Sequence, residues 1–488
     1  MSAPDSLFAG LQPAPVWRHF ATLCRIPRPS KGEGPLRDSL EAWARGRGLN
    51  ARVDAAGNLI IRKPARQGRE HAPGVVLQGH LDMVCQQNEG STHDFTRDPI
   101  QPSVRDGWVV ADDTTLGADN GIGVALMLAV LEDDTLSHGP IEALFTVDEE
   151  AGMGGAQGLA SGSLEGRLML NLDTEDWGEF YLGCAGGVDV NVVRPGTPAP
   201  APEGWESFTL TLAGLRGGHS GVDIHEERGN AIKLLVQVLR GLEHKLPLRL
   251  ASLNGGTARN ALPRTARAIV ALPAGQSETL AIELAGWQSL LRETLAGVDE
   301  GVRLEHAPAH ADRCISPADQ ALWLASLHAA PHGVHRRSLS VPGVVETSNN
   351  LGIVEIGPEG GQCNFMVRSL LDSGSLALAG EITSLFALSN TPVEVGGHYP
   401  GWTPRPDSSL LARCQRVFQR DFGAPARVKV IHAGLECGIL GASHPGMDIV
   451  SFGPTIRGAH APGERVEIAS VDKAWKLLTA LLADIAAG

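Results

Sequence analysis

The sequence predicts an α/β domain built from two separated segments, about 1–186 and 403–488, with an α+β domain of about 187–402 inserted between them. Apolar strand-like runs alternate with helical patterns up to residue 186, and the alternation returns after residue 403. The stretch between them clusters its strands without strict alternation. At 488 residues the chain also exceeds what one compact core holds, and its 43% hydrophobic and 20% charged content is that of an ordinary globular protein.

In the first segment, helical spacing runs over 15–24 and 34–48, with apolar positions at Leu36, Leu40, Trp43 and Ala44. A turn at 54–58 precedes a strand at 59–61. Residues 74–78 read as a buried strand ending in Gly79-His80-Leu81-Asp82, where two-residue alternation places His80 and Asp82 on one face. Leu116 to Gly123 leads into a buried helix at 124–131, with Asp119 or Asn120 at its mouth. Its glycines fit neither the dinucleotide fingerprint nor the P-loop. The apolar run 141–147 ends in Glu149-Glu150 and a glycine-rich turn, and 168–172 is closed by Asp173.

Each of these endings has an ordinary structural explanation. Asp and Asn are favoured N-caps, a histidine can be hydrogen-bonded at a strand end, and an acidic pair can be solvated surface. Four such endings at one edge of an α/β sheet, where open sheets bind ligands, favour a metal centre over four coincidences. Neighbouring residues at a strand end point in different directions. One glutamate of the pair could hold a cation while the other serves as general base.

Within the insert, 188–193 alternates, 195–202 is Pro/Ala-rich, and strands are expected at 208–212, 267–271, 352–356 and 364–368. Gly217-Gly218-His219-Ser220-Gly221 forms a loop before a helix at 230–242, and further helices are expected at 279–296 and 318–329. The insert shows no repeat and is long enough for two small sandwich-like units. The last segment carries a helix at 408–422, strands at 426–431 and 447–452, and a closing helix at 471–486. His432 and Glu436 stand four apart and would share a face if their turn is helical. His460 sits in a Gly/Pro-punctuated loop.

The net charge of −14 argues against nucleic-acid and anionic-membrane partners. No apolar run reaches the ~18 residues of a membrane span, and residues 1–10 lack a leader pattern. Seven scattered cysteines without a CxxC pair suggest neither a disulfide framework nor a thiolate zinc site, and a cytoplasmic location is expected. Cys85, beside the histidine motif, reads as packing rather than as a nucleophile.

Gly79-His80-Leu81-Asp82, Gly117-Ala118-Asp119-Asn120-Gly121, Asp148-Glu149-Glu150-x-Gly, Asn171-Leu172-Asp173 and His460-x-Pro-x-Glu464 occur in one order. In order and spacing the chain resembles the co-catalytic zinc peptidases, most of all the aminoacyl-histidine dipeptidase (cytosol non-specific dipeptidase) branch. The loop from Gly217 to His225, Gly255 to Pro263, Thr347 to Gly352 and His432 to Gly438 carry the likeness over nearly the whole chain.

The resemblance implies a catalytic domain with a mixed central sheet flanked by helices, and an α+β lid whose closure excludes water and sets substrate length. It implies that Asp119 bridges two metals, with Glu150 and His460 completing one site and His80 and Asp173 the other. Asp82 would orient His80, Glu149 would be the general base, and the Asp119–Asn120 peptide would be cis. His219 is then a second oxyanion stabiliser, Asn260 a substrate contact, and Arg368 a clamp for a free carboxylate, the natural partner of a guanidinium fork. The nitrogen and oxygen donors suit two divalent ions, zinc first, cobalt or manganese next. The activity implied is hydrolysis of dipeptides, Xaa-His included, and the alternative is an N-acyl-amino-acid deacylase or a carboxypeptidase. The partner is a small peptide. The lid is long enough to imitate a dimer within one chain, and a homodimer is left open.

Overall fold

The computed structural model describes residues 7–488, so the first six residues of the stretch read for a leader lie outside it. Contacts divide the chain into two units. One comprises Met1–Gly183, Pro404–Val430 and Leu435–Gly488, and the other Cys184–Thr403 with Ile431–Gly434. The short segment Ile431–Gly434 therefore groups with the insert, where the sequence reading kept all of 403–488 together.

The first unit is organised by an eight-stranded mixed sheet. Its centre is β1 (Val75–His80), β2 (Ile141–Thr146) and β3 (Leu168–Asn171). β1 pairs in parallel with β2 and β3, and β3 pairs in parallel with Asp448–Ser451. Outside this parallel core, Leu59–Lys63 and Glu179–Cys184 run antiparallel. β1 and β2 are buried along their whole length. They read as largely apolar because a strand covered on both faces has no wet side, and the polar Gln78, Glu142 and Thr146 within them are buried and hydrogen-bonded.

Helix α1 (Ala118–Glu132) is buried almost all round, as a helix apolar on every face must be. Phe20, Leu77, Leu126, Phe145, Leu170 and Leu481 are among the side chains closed into this core. Two short helices, α2 (Glu149–Gly152) and α3 (Glu436–Ser443), complete the elements that hold the site. Because the central strands are parallel, their carboxyl ends emerge at one edge. His80 is the last residue of β1, and Glu149 and Asp173 follow β2 and β3 by three and two residues. No helix among the described residues is long and apolar enough to cross a membrane.

The second unit is built on a nine-stranded antiparallel sheet rather than on two sandwich-like units. Its strands include β4 (Gly186–Pro195), β5 (Val345–Gly357), β6 (Gly360–Ser369) and β7 (Val393–Tyr399), adjacent in the order β5, β6, β4, β7. The helices Ala231–Glu243, Ser277–Thr294, Pro317–Ala329 and Asp372–Ala387 supply Leu235, Leu280, Trp323 and Phe386 to one core with Val190, Leu210, Val270 and Phe365 from the strands. One long sheet wins because these helices bury its apolar face, leaving no second sheet to cover.

Candidate metal centre

The five residues expected to bind metal are brought together in the first unit. His80 Nε2 lies 3.2 Å from carboxylate oxygens of both Asp119 and Asp173. His460 Nε2 lies 3.2 Å from Asp119 Oδ2 and 3.1 Å from Glu150 Oε2. Asp119 thus stands between the two histidines. His460 takes a left-handed backbone, φ 66°, in its loop.

The acidic pair is not on the strand, as the sequence reading had it. Asp148 turns the chain with φ 57°, and Glu149 and Glu150 open the first turn of α2. They diverge because successive helical residues project about 100° apart. Asp82 anchors that turn, its two oxygens accepting the N–H groups of Glu149 at 3.0 Å and Glu150 at 3.1 Å. Its Oδ1 also lies 3.4 Å from His80 Nδ1, and Ser30 donates to Oδ2 at 2.8 Å. One fully buried carboxylate therefore sets both the imidazole and the glutamate turn.

Asp119 and Asn120 stand at a break where both have non-helical backbone angles, and no side-chain cap bond is made at this end of α1, where Gly117 has φ 68°; the Asp119 carboxylate meets the histidines instead. Asn120 Nδ2 donates to Leu172 O at 2.6 Å, and the Asp119–Asn120 peptide is cis, as the resemblance implied.

Two charged residues that no periodicity marks hold this loop. Glu464, itself buried, accepts the N–H groups of Leu116, Gly117, Ala118 and Asp119 at 2.6, 2.8, 2.8 and 3.2 Å. Arg28, also buried, donates to Leu81 O at 2.8 Å, Asp82 O at 2.9 Å and Gly117 O. A Cβ at Gly117 would come within 2.4 Å of the Arg28 guanidinium, so the glycine is required by close approach as well as by its φ. Glu464 was visible only as the end of a motif, and Arg28, between two prolines, gave no signal.

Beneath the site a buried polar belt crosses the parallel strands. Gln78 Nε2 and Thr146 Oγ1 each donate to Glu436 Oε2 at 2.6 Å, Asn171 donates to Gln78, and Ser451 donates to Asn171. Glu436 opens α3 whereas His432 precedes the helix, so the two do not share a helical face. They fall in different units.

The electrostatics of the site are those of crowded carboxylates. Burial, with Asp173, Glu150 and Glu436 adding repulsion against the pull of His80, raises Glu149 well above the usual range. Burial pushes Asp173 up to about 7, Glu436 to about 7 and Glu175 to about 8. Burial alone would also raise Asp82, but hydrogen bonds from His80, Ser30 and the Glu149 N–H hold it down at about 2. His80 is opposed by burial yet raised well above its ordinary value by Asp173, Asp119 and Asp82.

The donor set fits divalent cations. One ligand atom from each of His80, Asp119 and Glu150 lies within 4.8 Å of the others. Glu150 Oε1 and Asp173 Oδ1 are buried without a hydrogen bond, and one imidazole N–H at His80 cannot satisfy two carboxylates. Nitrogen and oxygen donors with excess negative charge and no thiolate suit zinc, cobalt or manganese.

The three expected substrate residues lie in the second unit. Gly218–His219 pairs with Ala261–Leu262, and Ser220 N–H donates to Asn260 O at 2.8 Å, which joins the two loops. Asn260 itself is exposed. His219 Nδ1 accepts the N–H groups of Gly221 at 3.2 Å and Val222 at 3.0 Å. This tautomer puts the proton on Nε2, which stands 3.4 Å from Arg368 Nη2, so two donors sit side by side. Arg368 is 4% exposed and touches Ser220 Oγ at 3.3 Å and the Tyr399 hydroxyl at 2.9 Å. Among the described residues no carboxylate lies within ion-pair distance of it, so it is no surface ion-pair member. His432 Nε2 meets Ser348 Oγ at 2.8 Å, and burial, with Arg368 next, pushes its pKa down to about 3.

Comparison with known proteins places these features in context. The model of Peptidase family M20/M25/M40 matches residues 76–484. The chain is 44% identical to the cytosol non-specific dipeptidase of Escherichia coli (strain K12) over 98% of this chain and 99% of that protein. The crystal structure of aminoacylhistidine dipeptidase from Vibrio alginolyticus superposes with a TM-score of 0.88 at 45% identity, covering 97% of each chain. Aminopeptidase PepT from Bacillus cereus shares the fold, with a TM-score of 0.57 at 17% identity over 98% of this chain and 99% of that one.

Proposed function

The chain belongs to the M20/M25/M40 peptidase family, and on that premise we propose that it hydrolyses dipeptides of broad sequence, Xaa-His included, with two divalent metal ions. The observation that carries this reading is the convergence of His80, Asp119, Glu150, Asp173 and His460 around one space, with Glu149 beside them. The names of the Escherichia coli and Vibrio alginolyticus relatives, which match end to end, support a dipeptide substrate.

Asp119 would be shared between the ions, Glu150 and His460 would hold one, and His80 and Asp173 the other, with zinc the preferred metal. Bound there, the ions would supply a Lewis acid for the peptide carbonyl and lower the pKa of the attacking water. Glu149 is the proton carrier. It stands beside the residues that would hold the ions, where it takes the proton of the attacking water and returns it to the departing amine. Asp82 holds His80 and the Glu149 turn in fixed relation. In the second unit, the Arg368 guanidinium would take the free carboxylate of the dipeptide, His219 would donate from Nε2 to the oxyanion, and Asn260 would contact the substrate. Cytoplasmic residence belongs to the same reading.

The test is a panel of dipeptides and their N-acetylated forms, assayed after metal removal and after zinc, cobalt or manganese is restored. Metal-dependent turnover of free dipeptides is expected. Preference for the acetylated forms would replace this reading with a deacylase.

A further inference from the structure

Four residues stand in one row across the sheet of the second unit. Register pairs Ser348 with Arg368, Arg368 with Gly187, and Gly187 with Tyr399, so all four face the same side. The row runs through β5, β6, β4 and β7. Only Gly187, between the arginine and the tyrosine, has no side chain. Strands lie about 4.8 Å apart, so Arg368 and Tyr399 belong to backbones roughly 10 Å from one another. The tyrosine reaches the arginine because its ring lies across the empty glycine position. A Cβ built on Gly187 would stand 2.5 Å from Tyr399 Cε1 and 2.7 Å from its Cζ and hydroxyl oxygen. The pairing of β7 with β4 is irregular between Gly396 and Tyr399, which re-aims this end of the strand.

The contact made there is specific. Arg368 Nη1 donates to the Tyr399 hydroxyl at 2.9 Å, while Nε faces Ser220 Oγ at 3.3 Å. Both acceptors are neutral. They fix the plane of the guanidinium without forming an ion pair with it, and the nearby buried carboxylate of Asp189, which feels Arg368, is itself paired with Arg259.

We propose that Tyr399 is a positioning residue that aims the Arg368 fork at the free carboxylate of the substrate, and that Gly187 is the gap this arrangement requires. The proposal rests on the reading of Arg368 as the carboxylate clamp. It assigns to the row the preference for a peptide ending in a free acid, since a guanidinium held in one plane recognises a carboxylate in two parallel hydrogen bonds and gains much less from a neutral amide.

The experiment is steady-state kinetics of the metal-loaded enzyme on a dipeptide and on its C-terminal amide, for the wild type, Tyr399→Phe, Tyr399→Ala, Gly187→Ala, the Gly187→Ala/Tyr399→Ala double variant and Arg368→Ala. Tyr399→Phe keeps the ring and removes the acceptor. It should raise KM for the free dipeptide about tenfold, the scale of one hydrogen bond to a charged group, with kcat held within about twofold, and it should reduce the acid-over-amide preference by the same factor. Gly187→Ala should reproduce this loss by displacing the ring, and should add nothing once Tyr399→Ala has removed it. An unchanged preference in Tyr399→Phe, or a Gly187→Ala penalty that persists in full beside Tyr399→Ala, overturns the proposal. If Gly187→Ala does not fold, Tyr399→Phe decides alone. If the wild type shows no preference for the acid, or Arg368→Ala weakens acid and amide alike, the carboxylate reading falls and this proposal with it. If Arg368→Ala abolishes the preference and Tyr399→Phe spares it, only the role of Tyr399 is refuted.

Discussion

Glu464→Gln is the sharpest probe of how the metal loop is held. Glu464 accepts four backbone N–H groups, those of Ala118 and Asp119 at Oε1 and those of Leu116 and Gly117 at Oε2. A glutamine of the same shape keeps one oxygen and points its NH2 group at two N–H donors. Two charge-assisted hydrogen bonds are lost, each about 1.5–3 kcal/mol, so the change weakens the loop by about 3–6 kcal/mol. Part of this must appear at Asp119, whose own N–H is one of the four. The expected result is at least a tenfold weaker zinc affinity, about 1.4 kcal/mol, measured by competition with a chromophoric chelator. The remainder should appear as faster hydrogen exchange of the amides at 116–119 in the metal-free protein. Unchanged zinc affinity with unchanged exchange at these amides would refute the idea that Glu464 holds the loop.

Other changes separate the remaining roles. Glu149→Gln should lower kcat by about 10²–10⁴-fold, the range for loss of a general base, while metal analysis finds the zinc content unchanged; full activity would remove Glu149 from the mechanism. Arg368→Lys, which loses the planar fork, should raise KM for free dipeptides roughly 10–100-fold by losing 1.4–3 kcal/mol of paired hydrogen bonding, read from initial rates across substrate concentration. His432 supplies a pH prediction. Its folded pKa is about 3, depressed by burial and then by Arg368, against about 6.5 unfolded. Above pH ~6.5 neither state is protonated there; as pH falls from ~6.5 towards 3, only the unfolded state takes the proton, so stability is lost at about 1.4 kcal/mol per pH unit. Urea unfolding between pH 7 and 4 should show His432→Gln taking up about one proton fewer than wild type; an identical slope would mean that His432 is not buried neutral.

The fold was legible where burial imposes a local pattern. β1 and β2 announce themselves as largely apolar runs because both their faces are covered, and the alternation in Trp205–Ala213 follows from a strand buried on one face only. The chain order of strands and helices follows from such runs. The grouping of Ile431–Gly434 with the second unit does not, since four residues carry no period. Nor does the single nine-stranded sheet, whose pairings join residues as far apart as Gly187 and Tyr399.

At the site, the legible residues were donors placed directly after an apolar run, such as His80 and Asp173. Arg28 and Glu464 escaped because they act on backbone carbonyls and amides, a function that leaves no mark in side-chain spacing. Tyr399 escaped because it matters only through a cross-strand register.

The adjacency of Glu149 and Glu150 is a weak signal by itself, and the two side chains diverge from a helical turn rather than from a strand end. On a strand the two would have pointed to opposite faces of the sheet. In a helical turn both emerge at the open edge, about 100° apart. The turn is held there by Asp82, which accepts both their N–H groups while touching His80. The orientation of the histidine and the separation of the two glutamates are therefore one structural fact. A change at Asp82 cannot disturb the imidazole without also moving the turn that carries Glu149 and Glu150, so Asp82 ties the position of His80 to that of the acidic pair.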